Sequence, residues 1–490
     1  MIVPRIVWAM FVPISLYAIF ATVTQAINST AGKTYGLGEL AGWVVVLGLL
    51  LFVWGNGKRL VNSVESFSNA ILAVLPKRFL FICLLVGLTI RIVWVLLFPA
   101  EFTSDFKSYW QLANRLADQG NYYIANTYAY WPPGLPLFLL PSLLVLGSQS
   151  WIPLLNNLAL FSGTLMVVYL LAATVSDHSV ARVASILLAL WPNFIFYSGL
   201  PGKELLLALL LPLAILFYLH FDDPLSGERK RASFVFLAGL VLGYASLTQA
   251  SVILFPIVLG VYEIIRQTYF RTILSKLTVL GCGMVLVISP WTVRNYLVLD
   301  AFVPVSTNGG WSLYVGNNPK ATGGYLPLEG DFQGYDEVTV NKRAFVLGRK
   351  WILDNPTSFM ALSVKKQMLF LGDDSDGVFW TLKRGLRIDD IRYAALKGLS
   401  NLFWIGIFIM SLFSLIFKWK SRLSNSPEVS VLIFSVLYFF IIHSVFESGS
   451  RHHTAVIGFL SILAALAVYR SAPGRLDDHQ AGRKPQQYRQ

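Results

Sequence analysis

The sequence predicts an all-α, polytopic membrane protein, and two properties of the chain support this prediction. Of its 490 residues, 55% are hydrophobic and 13% are charged, and the mean hydropathy is +0.61. Soluble domains carry roughly twice that fraction of charged residues. The hydrophobic residues also fall into runs close to the length that spans a bilayer. We therefore expect a bundle of about 12 transmembrane helices, with interfacial helices and one long outer loop.

The net charge of +13 points to a membrane and not to nucleic acid. The basic residues cluster in short loops beside apolar runs, which is the positive-inside pattern of membrane proteins. The two cysteines, Cys83 and Cys282, lie in predicted spans and form neither a disulfide framework nor a metal-binding spacing. The chain contains no HExxH, CxxC or Walker sequence.

About twelve apolar segments are predicted to cross the membrane. The first follows Arg5 and resembles a signal peptide, but it is long and many spans come after it, so we expect an uncleaved anchor. Arg91 lies deep within the third segment, where an arginine needs a partner inside the protein. The predicted spans are residues 6–27, 37–54, 79–99, 151–175, 180–198, 204–221, 232–249, 252–265, 277–293, 399–417, 429–446 and 454–469.

The apolar segment 135–146 is too short to cross a bilayer. Pro132, Pro133 and Pro136 also disfavour a regular helix entry. The segment is therefore predicted to be an interfacial or re-entrant helix, which places the short basic loops and both termini on the cytoplasmic side. These loops are residues 57–77, 229–231, 266–276 and 418–422.

The spans and loops divide the chain into five parts. A helix is expected over 337–355 in the long outer loop, from the spacing of its apolar residues. The parts are 1–78, with two extra N-terminal transmembrane helices and a cytoplasmic linker; 79–293, a core whose first outer loop is 100–150; 294–398, a periplasmic loop region; 399–470, the C-terminal transmembrane helices; and 471–490, a basic cytoplasmic tail.

The stretch 102–110 follows the third span directly and carries one acidic side chain, Asp105. Residues 104–118 are predicted to form a helix along the membrane surface, with Ser104 as its N-cap and Tyr109 one turn below Asp105. Two interpretations fit: an interfacial helix whose carboxylate interacts with its own N-terminus, or a catalytic carboxylate at the water–lipid boundary. The residues of this stretch alone favour the first.

Three polar clusters are predicted to face the outer compartment: Asp105 with Lys107, Lys203 with Glu204, and the segment 447–453. A carboxylate can take a proton from an acceptor hydroxyl. Arginine or lysine can hold a phosphate and stabilise its charge as it leaves. Each cluster by itself is also explained by a salt bridge or a snorkelling side chain. The three together suit a reaction on a lipid-linked phosphate.

The histidines and acidic residues do not form a metal-binding pattern. His452 and His453 are adjacent, so their side chains point in different directions on a helix. The run Asp373, Asp374 and Asp376 is expected to be a solvated turn more than a metal site. No cofactor follows from the sequence: a divalent metal fits the chemistry, but the residue spacing does not support one.

An ordered set of motifs resembles the membrane glycosyltransferases of the GT-C type. The similar group is the bacterial relatives of the dolichyl-phosphate-mannose protein mannosyltransferases, including aminoarabinose-lipid A transferases and rhizobial lipopolysaccharide glycosyltransferases. The resemblance covers residues 79–469. The motifs are S-D-x-x-x-Y at 104–109, W-P-P-G-x-P-L at 131–137, K-E at 203–204, R-N-x-x-x-x-D-x-F-V-P-V-S-T-N-G-G-W at 294–311, G-N-N-P at 316–319 and the basic segment 448–452.

The resemblance implies a GT-C bundle whose donor is a sugar on a polyprenyl phosphate and not a nucleotide sugar. It implies that Asp105 is the general base and that Arg451 contacts the donor phosphate, with Lys203 and Arg294 also assigned to phosphate binding. The chain departs from relatives in its two extra N-terminal spans and in having one carboxylate where many have an acidic pair. The residues assigned to line the substrate site are Lys107, Tyr109, Glu204, Asn317, Glu447 and His452.

The function expected from these features is that of an inverting glycosyltransferase of the bacterial inner membrane, with its active site facing the periplasm. One carboxylate is enough for a single displacement, whereas retention normally needs a second one as nucleophile. The acceptor would be lipopolysaccharide, a glycolipid or a protein. A lipid-linked sugar flippase and a glycan polymerase or ligase are the alternatives. The charges crowd one face and do not follow a path through the spans, which favours the transferase.

Overall fold

The computed structural model describes residues 3–30, 38–49, 51–52, 55–56, 59, 74–220, 228–327, 332–383, 390–417 and 426–468. Within these residues the protein is helical, without a β-strand, and its β-structure is limited to one isolated bridge between Ile124 and Thr127. The all-α prediction is therefore confirmed. The predicted basic tail at 471–490, and much of the linker at 57–77, lie outside the described residues.

The helices follow one another with short connections. They are α1 (Val3–Thr30), α2 (Gly38–Leu49), α3 (Pro76–Leu97), α4 (Ser104–Gln119), α5 (Gly134–Leu146), α6 (Ile152–Val175), α7 (His178–Ala189), α8 (Pro192–Phe196), α9 (Lys203–His220), α10 (Glu228–Thr248), α11 (Pro256–Ile265), α12 (Phe270–Leu299), α13 (Gly309–Gly316), α14 (Glu337–Asp354), α15 (Pro356–Leu371), α16 (Asp376–Val378), α17 (Asp390–Phe417), α18 (Pro427–Val445) and α19 (Ile457–Ala465). Short 3₁₀ segments lie at Tyr197–Gly199, Ala250–Leu254, Ser450–Val456 and Leu466–Val468, and a π-helical turn at Phe379–Lys383.

Nine helices of the described residues are long and apolar enough to cross a membrane, and a bent pair adds a tenth. The protein is thus a multi-pass membrane protein, but the described residues do not reach the predicted count of about 12. Two predicted spans account for the difference: 37–54 contains the short helix Gly38–Leu49, and 252–265 falls in the short apolar helix Ala250–Ile265.

The predicted span 180–198 is broken into two helices that meet at 51°. Pro192, which lacks a backbone N–H, begins α8 after α7 has ended at Ala189. Because the chain turns here, the polar side chain of Asn193 reaches a buried loop and does not face lipid.

The last predicted span forms the centre of the bundle. Every residue from 453 to 468 is buried, and this segment packs against α7, α9, α17 and α18. A helix that is apolar on all sides is expected to be buried by its neighbours and not exposed to lipid. We call Ser450–Val468 the central segment. Arg451 lies at its N-terminal end, where the buried core ends and the loops begin.

The predicted surface helices are present, with one correction. The helix predicted over 104–118 is α4, and the helix predicted over 337–355 is α14. Ser104 was expected as the N-cap of α4, which is wrong: the cap is Thr103, and its side chain makes no capping hydrogen bond. The segment 135–146 is the 13-residue helix α5, which is too short to span a bilayer as predicted.

Two polar side chains attach the loop after α4 to later parts of the chain. Glu337 at the start of α14 accepts hydrogen bonds from the backbone N–H of Tyr128 at 2.6 Å and from the hydroxyl of Thr307 at 2.7 Å. Arg294 at the end of α12 donates to the carbonyl oxygens of Tyr122 and Tyr128, both at 2.6 Å. These contacts hold the loop after α4 against α12, the start of α14 and the connection that carries Thr307.

Arg91 is held inside the bundle by partners that carry no charge. Its guanidinium is 1% exposed, donates to the carbonyl oxygens of Gly87 and Ala189 at 3.0 Å, and lies 3.6 Å from the ring centroid of Phe161. These contacts tie α3 to α6 and α7, so Arg91 has a structural role in this fold.

Candidate functional site

Asp105 and Arg451 form an ion pair although 346 positions separate them in the chain. Arg451 Nη1 lies 2.9 Å from Asp105 Oδ2, and the indole N–H of Trp131 donates to Asp105 Oδ1 at 3.2 Å. Both carboxylate oxygens therefore bind residues outside α4, which argues against a capping role for Asp105. The side chains of Asp105 and Arg451 are 35% and 22% exposed, so a ligand can reach the pair.

The pattern of α4 explains why Asp105 faces the bundle. Phe106, Tyr109, Leu112 and Ala113 are buried, which is the spacing of a helix with one apolar face. This face packs against α5 and fixes the first turn, which carries Asp105, above the central segment. Trp131 follows on the next loop, as the first residue of the W-P-P-G motif.

Lys203 and Glu204 begin α9 beneath the pair. Glu204 is 4% exposed, and its Oε2 atom has no hydrogen-bond partner among the described residues. Gly202 allows this arrangement, because a Cβ at that position would lie 2.8 Å from Glu204 Oε2 and 3.0 Å from Phe106. A buried carboxylate with an uncommitted oxygen is suited to accept a hydrogen bond from a substrate.

Arg451 is surrounded by carboxylates. Asp105, Glu204, Asp376 and Glu447 all interact electrostatically with its guanidinium. Lys203 is the second cation and interacts with Glu204, Asp105 and Glu447. We call these six residues the charged cluster: Asp105, Lys203, Glu204, Asp376, Glu447 and Arg451.

The surroundings shift the pKa values of these carboxyl groups in opposite directions. Burial raises the pKa of Asp105, but Arg451, Lys203 and the hydrogen bond from Trp131 outweigh it, so the pKa lies below its ordinary value of 3.8. Burial raises the pKa of Glu447 and of Asp376. Asp105 is therefore ionised at neutral pH, and the environment favours the anion there more than at Glu447 or Asp376.

Tyrosines line the cluster as neutral phenols. Burial, followed by the charge of Asp105, raises the pKa of Tyr109 well above its ordinary value, and the same two causes raise the pKa of Tyr130. Tyr325 is 65% exposed and interacts electrostatically with Glu447 and Asp105. All three phenols therefore lie within electrostatic range of Asp105.

The remaining residues that the sequence assigned to the site have different surroundings. Lys107 is exposed on α4. His452 stacks on His443 with the ring centroids 4.2 Å apart. Arg294 binds the backbone of the loop after α4, as described above, and does not contact the ion pair. Asn317 is buried and donates to the carbonyl oxygen of Val445 at 2.7 Å, so it supports the turn that carries Glu447.

The structure adds residues that sequence reasoning did not assign. Asp376 belongs to the charged cluster, and Asp374 is fully buried, so the expectation of a solvated turn at 373–376 is wrong. Trp191 and Asn193 donate to Asp374 at 2.7 and 2.6 Å. The available signal was the proline and asparagine at 192–193 inside a predicted span, which marks an interrupted helix.

Within the described part of the chain, no group of three or more His, Cys, Asp or Glu side chains is arranged to hold a metal ion. The four carboxylates of the charged cluster interact electrostatically with a guanidinium and an ammonium group instead. The cluster can therefore bind an anion through its cations and accept protons or hydrogen bonds through its carboxylates.

Comparison with solved structures relates the fold to a known class. Oligosaccharyltransferase AglB from Archaeoglobus fulgidus, in complex with an inhibitory peptide and a dolichol-phosphate, matches with a TM-score of 0.50 and 14% identity over 79% of this chain. The same enzyme in complex with Zn and sulfate matches with a TM-score of 0.50 and 16% identity, again over 79% of this chain. This chain has the GT-C fold.

The region that matches covers 79% of this chain but only about half of the archaeal enzyme, 49% and 48% in the two structures. ArnT from Cupriavidus metallidurans bound to undecaprenyl phosphate is also similar, with a TM-score of 0.44, 12% identity, and coverage of 80% of this chain and 78% of ArnT. No family model and no curated protein sequence matches the chain.

Proposed function

We propose that this protein is an inverting glycosyltransferase that moves a sugar from a polyprenyl-phosphate donor to a cell-envelope acceptor. The observation that carries the proposal is the Asp105–Arg451 pair, an ionised carboxylate beside an accessible guanidinium. Its position at the ends of α4 and the central segment puts it where loops meet membrane-spanning helices. That is where a phosphate on a lipid chain would lie.

In the proposed reaction Arg451 binds the donor phosphate, with Lys203 as the second cation. An arginine can make a bidentate, charge-assisted contact with phosphate oxygens. The acceptor oxygen attacks the anomeric carbon and forms the new glycosidic bond. The bond between that carbon and the phosphate oxygen breaks, and its electron pair stays on the phosphate. The cations stabilise this added negative charge.

Asp105 takes the proton that the acceptor hydroxyl loses. Its low pKa keeps it ionised, and general-base assistance of this kind typically contributes about 10²–10⁴-fold to the rate. In the free protein Arg451 occupies Oδ2 of this carboxylate. Transfer of Arg451 to the incoming phosphate would release Oδ2 for the acceptor, so donor binding also prepares the base.

Inversion follows from the difference between Asp105 and its neighbours. A retaining mechanism needs a second ionised carboxylate as nucleophile. Burial raises the pKa of Glu447 and Asp376, and both oxygens of Asp376 already accept hydrogen bonds, from Tyr197 and Ser450. Glu204 is only 4% exposed, whereas Asp105 is 35% exposed and ionised. Asp105 is therefore the carboxylate suited to the reaction, and one carboxylate supports a single displacement.

The fold comparison is consistent with this donor. The archaeal enzyme that shares the fold is described in complex with a dolichol-phosphate, which is a polyprenyl-type lipid phosphate. We propose that the protein resides in the bacterial inner membrane with the charged cluster facing the periplasm. The sidedness rests on the basic loops of the sequence. We assign Glu204, Glu447, Tyr109, Lys107 and His452 to the lining of the substrate site.

A transport function would give a different pattern of charge. A flippase needs polar groups along a path through the bundle. Away from the cluster, the buried charged residues of the described interior each have partners within the protein. Arg91 binds backbone carbonyls and aromatic rings, Arg182 lies over the ring of Phe79, and Lys366 binds Asn317 and the carbonyl oxygen of Val445. Glu263 and Lys276 form an ion pair at 2.8 Å, and Asp374 binds His453 at 2.9 Å. These groups are bound within the protein and are separate from one another, so the transferase is the better-supported function.

The deciding experiment is transfer by purified protein from polyprenyl-phosphate sugars to candidate acceptors, with Asp105→Asn as the test variant. Asn keeps the size of the side chain but cannot take the proton, so turnover should fall by roughly 10²–10⁴. Asp118→Asn is the matched control, because it makes the same change on the exposed last turn of α4. A folded Asp105→Asn protein with turnover within a few-fold of wild type contradicts the role of Asp105.

A further inference from the structure

Arg451 lies between two residues that bind the same short turn. We call residues 373–376 the acidic turn. Ser450, directly before Arg451, donates to Asp376 Oδ1 at 3.4 Å. His453, two residues after Arg451, binds Asp374 Oδ1 through Nε2 at 2.9 Å. The backbone that carries Arg451 is therefore attached to the acidic turn on both sides.

His453 is bound at both ring nitrogens and is completely buried, as is Asp374. Its Nδ1 atom faces the carbonyl oxygen of Phe370 at 2.5 Å, and its Nε2 atom faces the carboxyl group of Asp374. A carbonyl oxygen can only accept a hydrogen bond, so Nδ1 carries a proton. The contact between Nε2 and Asp374 needs one more proton, on either partner, so the pair holds two in all. The ring of Trp404 stacks on His453 at 4.2 Å and fixes its plane.

Asp374 is held in place by contacts other than the one with His453. Its carboxyl group accepts hydrogen bonds from Trp191 and Asn193, in the break between α7 and α8. Its backbone N–H donates to Asn401 on α17 at 2.8 Å, and Ser400 binds its carbonyl oxygen. The acidic turn is thus fixed to two other parts of the bundle, and His453 is fixed to the turn.

Asp376 extends the same arrangement to the charged cluster. Its Oδ2 atom accepts a hydrogen bond from Tyr197 at 2.6 Å, and its carboxyl group interacts electrostatically with Arg451. The contact from Ser450 to Oδ1 is longer and more easily exchanged. Asp376 therefore supplies both a backbone attachment before Arg451 and a carboxyl group near its guanidinium.

The segment that carries Arg451 needs such support. It is a 3₁₀ segment of seven residues, Ser450–Val456. The hydrogen bonds of a 3₁₀ helix have poorer geometry than those of an α-helix, and such runs seldom exceed three or four residues. External contacts are therefore needed to hold this backbone and to set the direction of the Arg451 side chain.

We propose that His453 and the acidic turn are positioning residues that hold Arg451 in place to receive the donor phosphate. The catalytic part of this inference rests on the proposed function, whereas the placement of Arg451 can be tested without it. The acidic turn thus has a function other than solvation or metal binding. Contacts with the acidic turn hold the backbone of Arg451 where regular α-helical hydrogen bonds are missing. The guanidinium can then meet a phosphate at a defined distance.

The first test is structural and does not depend on activity. His453→Phe keeps a ring to stack on Trp404 but removes both ring nitrogens, which leaves Asp374 and the Phe370 carbonyl without this partner. An experimental structure of the variant should show Arg451 displaced from Asp105. An Arg451–Asp105 distance unchanged from 2.9 Å would overturn the positioning role.

The second test is a double-mutant cycle on donor use, measured as kcat/KM for a polyprenyl-phosphate sugar. His453→Phe alone should lower this value at least about tenfold, and the loss should lie mainly in the donor KM. In an Arg451→Ala background the same change should add less than about threefold, because it acts through Arg451. Losses that multiply in the double variant would assign His453 a merely structural role.

Glu263→Gln is the matched control for disrupting a buried pair. Glu263 is fully buried and binds Lys276 at 2.8 Å. Lys276 precedes Arg294 by 18 positions on α12, which places it about 27 Å along the helix from Arg294, the residue that binds the loop after α4. Glu263→Gln should lower thermal stability without changing the donor KM. An equal rise of the donor KM in this variant would show that loss of any buried pair is enough, and would refute the inference.

Ser450→Ala serves if His453→Phe does not fold, because it removes one hydroxyl from a half-buried position. It should lower donor kcat/KM by about threefold or more, again without effect in the Arg451→Ala background. A wild-type value for Ser450→Ala would then contradict the two-sided attachment. If wild-type protein transfers no sugar from any lipid phosphate, the proposed function fails, and the structural test still decides the placement of Arg451.

Discussion

The ion pair between Asp105 and Arg451 makes a testable prediction about pH. In the wild-type protein burial raises the pKa of Asp105, and Arg451, Lys203 and Trp131 more than offset this effect. The base is then ionised above its ordinary pKa of 3.8, and no acid limb is expected near neutral pH. Arg451→Gln removes the cation at 2.9 Å but keeps an amide that can donate to Asp105.

The size of the change follows from the distances. An opposite charge within about 4–6 Å lowers the pKa of an aspartate by roughly 1–3 units. Removing Arg451 should therefore raise the pKa of Asp105 by about 1–3 pH units, with Lys203 and the Trp131 hydrogen bond limiting the rise. Protonated Asp105 cannot accept the proton of the acceptor. The acid limb of the rate should thus move upward, toward neutral pH.

The assay is kcat/KM for the acceptor, measured from about pH 4 to about pH 8 at saturating donor. Arg451→Gln will be slower at all pH values, so each profile is scaled to its own plateau. Arg115→Gln is the charge control, because it removes a cation from the same helix about 15 Å further along. A scaled Arg451→Gln profile that superimposes on wild type would refute the electrostatic coupling of Asp105 and Arg451.

Three further predictions concern the donor, the topology and the stability of the outer region. Arg451→Ala should lower donor kcat/KM by about 10² or more, and Arg451→Lys should recover only part of it, since lysine lacks the planar fork; wild-type kinetics for Arg451→Ala would exclude phosphate binding there. In a background without Cys83 and Cys282, exposed Lys320→Cys should react with an impermeant maleimide added from the periplasmic side; labelling solely from the cytoplasm would reverse the topology. Burial lowers the pKa of Lys366 from 10.5 to about 7, so the folded state binds fewer protons across this window and its stability should rise with pH. As the pH rises between these two values, the thermal midpoint of wild type should increase relative to that of Lys366→Met. Midpoints that change in parallel with pH would contradict the lowered pKa of Lys366.

Local sequence properties predicted the helical framework well. The apolar runs that became α3, α6, α9 and α18 are recognised from length and composition alone, because a bilayer demands a certain length of apolar helix. The amphipathic pattern of 104–118 likewise predicted α4. Such features depend on neighbouring residues, so one sequence is enough to find them.

The break at residues 189–192 was not predicted, because the sequence was interpreted as one span over 180–198. The segment 180–198 is apolar enough for one span, and Pro192 is tolerated in many transmembrane helices. The chain bends there because Trp191 and Asn193 find a carboxylate partner in Asp374, 183 and 181 positions away. No local pattern encodes that partner, and this is also why the acidic turn was expected to be solvated.

The sequence by itself determined that this is a multi-pass helical membrane protein whose polar residues gather in a few loops. It also singled out Asp105 and Arg451, since each stands in a motif at the end of an apolar segment. Only the tertiary structure decided that these two side chains meet, that Arg294 and Asn317 support loops, and that Asp374 and His453 lie beneath Arg451. The physical reason is that hydrophobicity and helix period are local properties of the chain. The charge and hydrogen bonds around a buried group come from segments hundreds of residues apart.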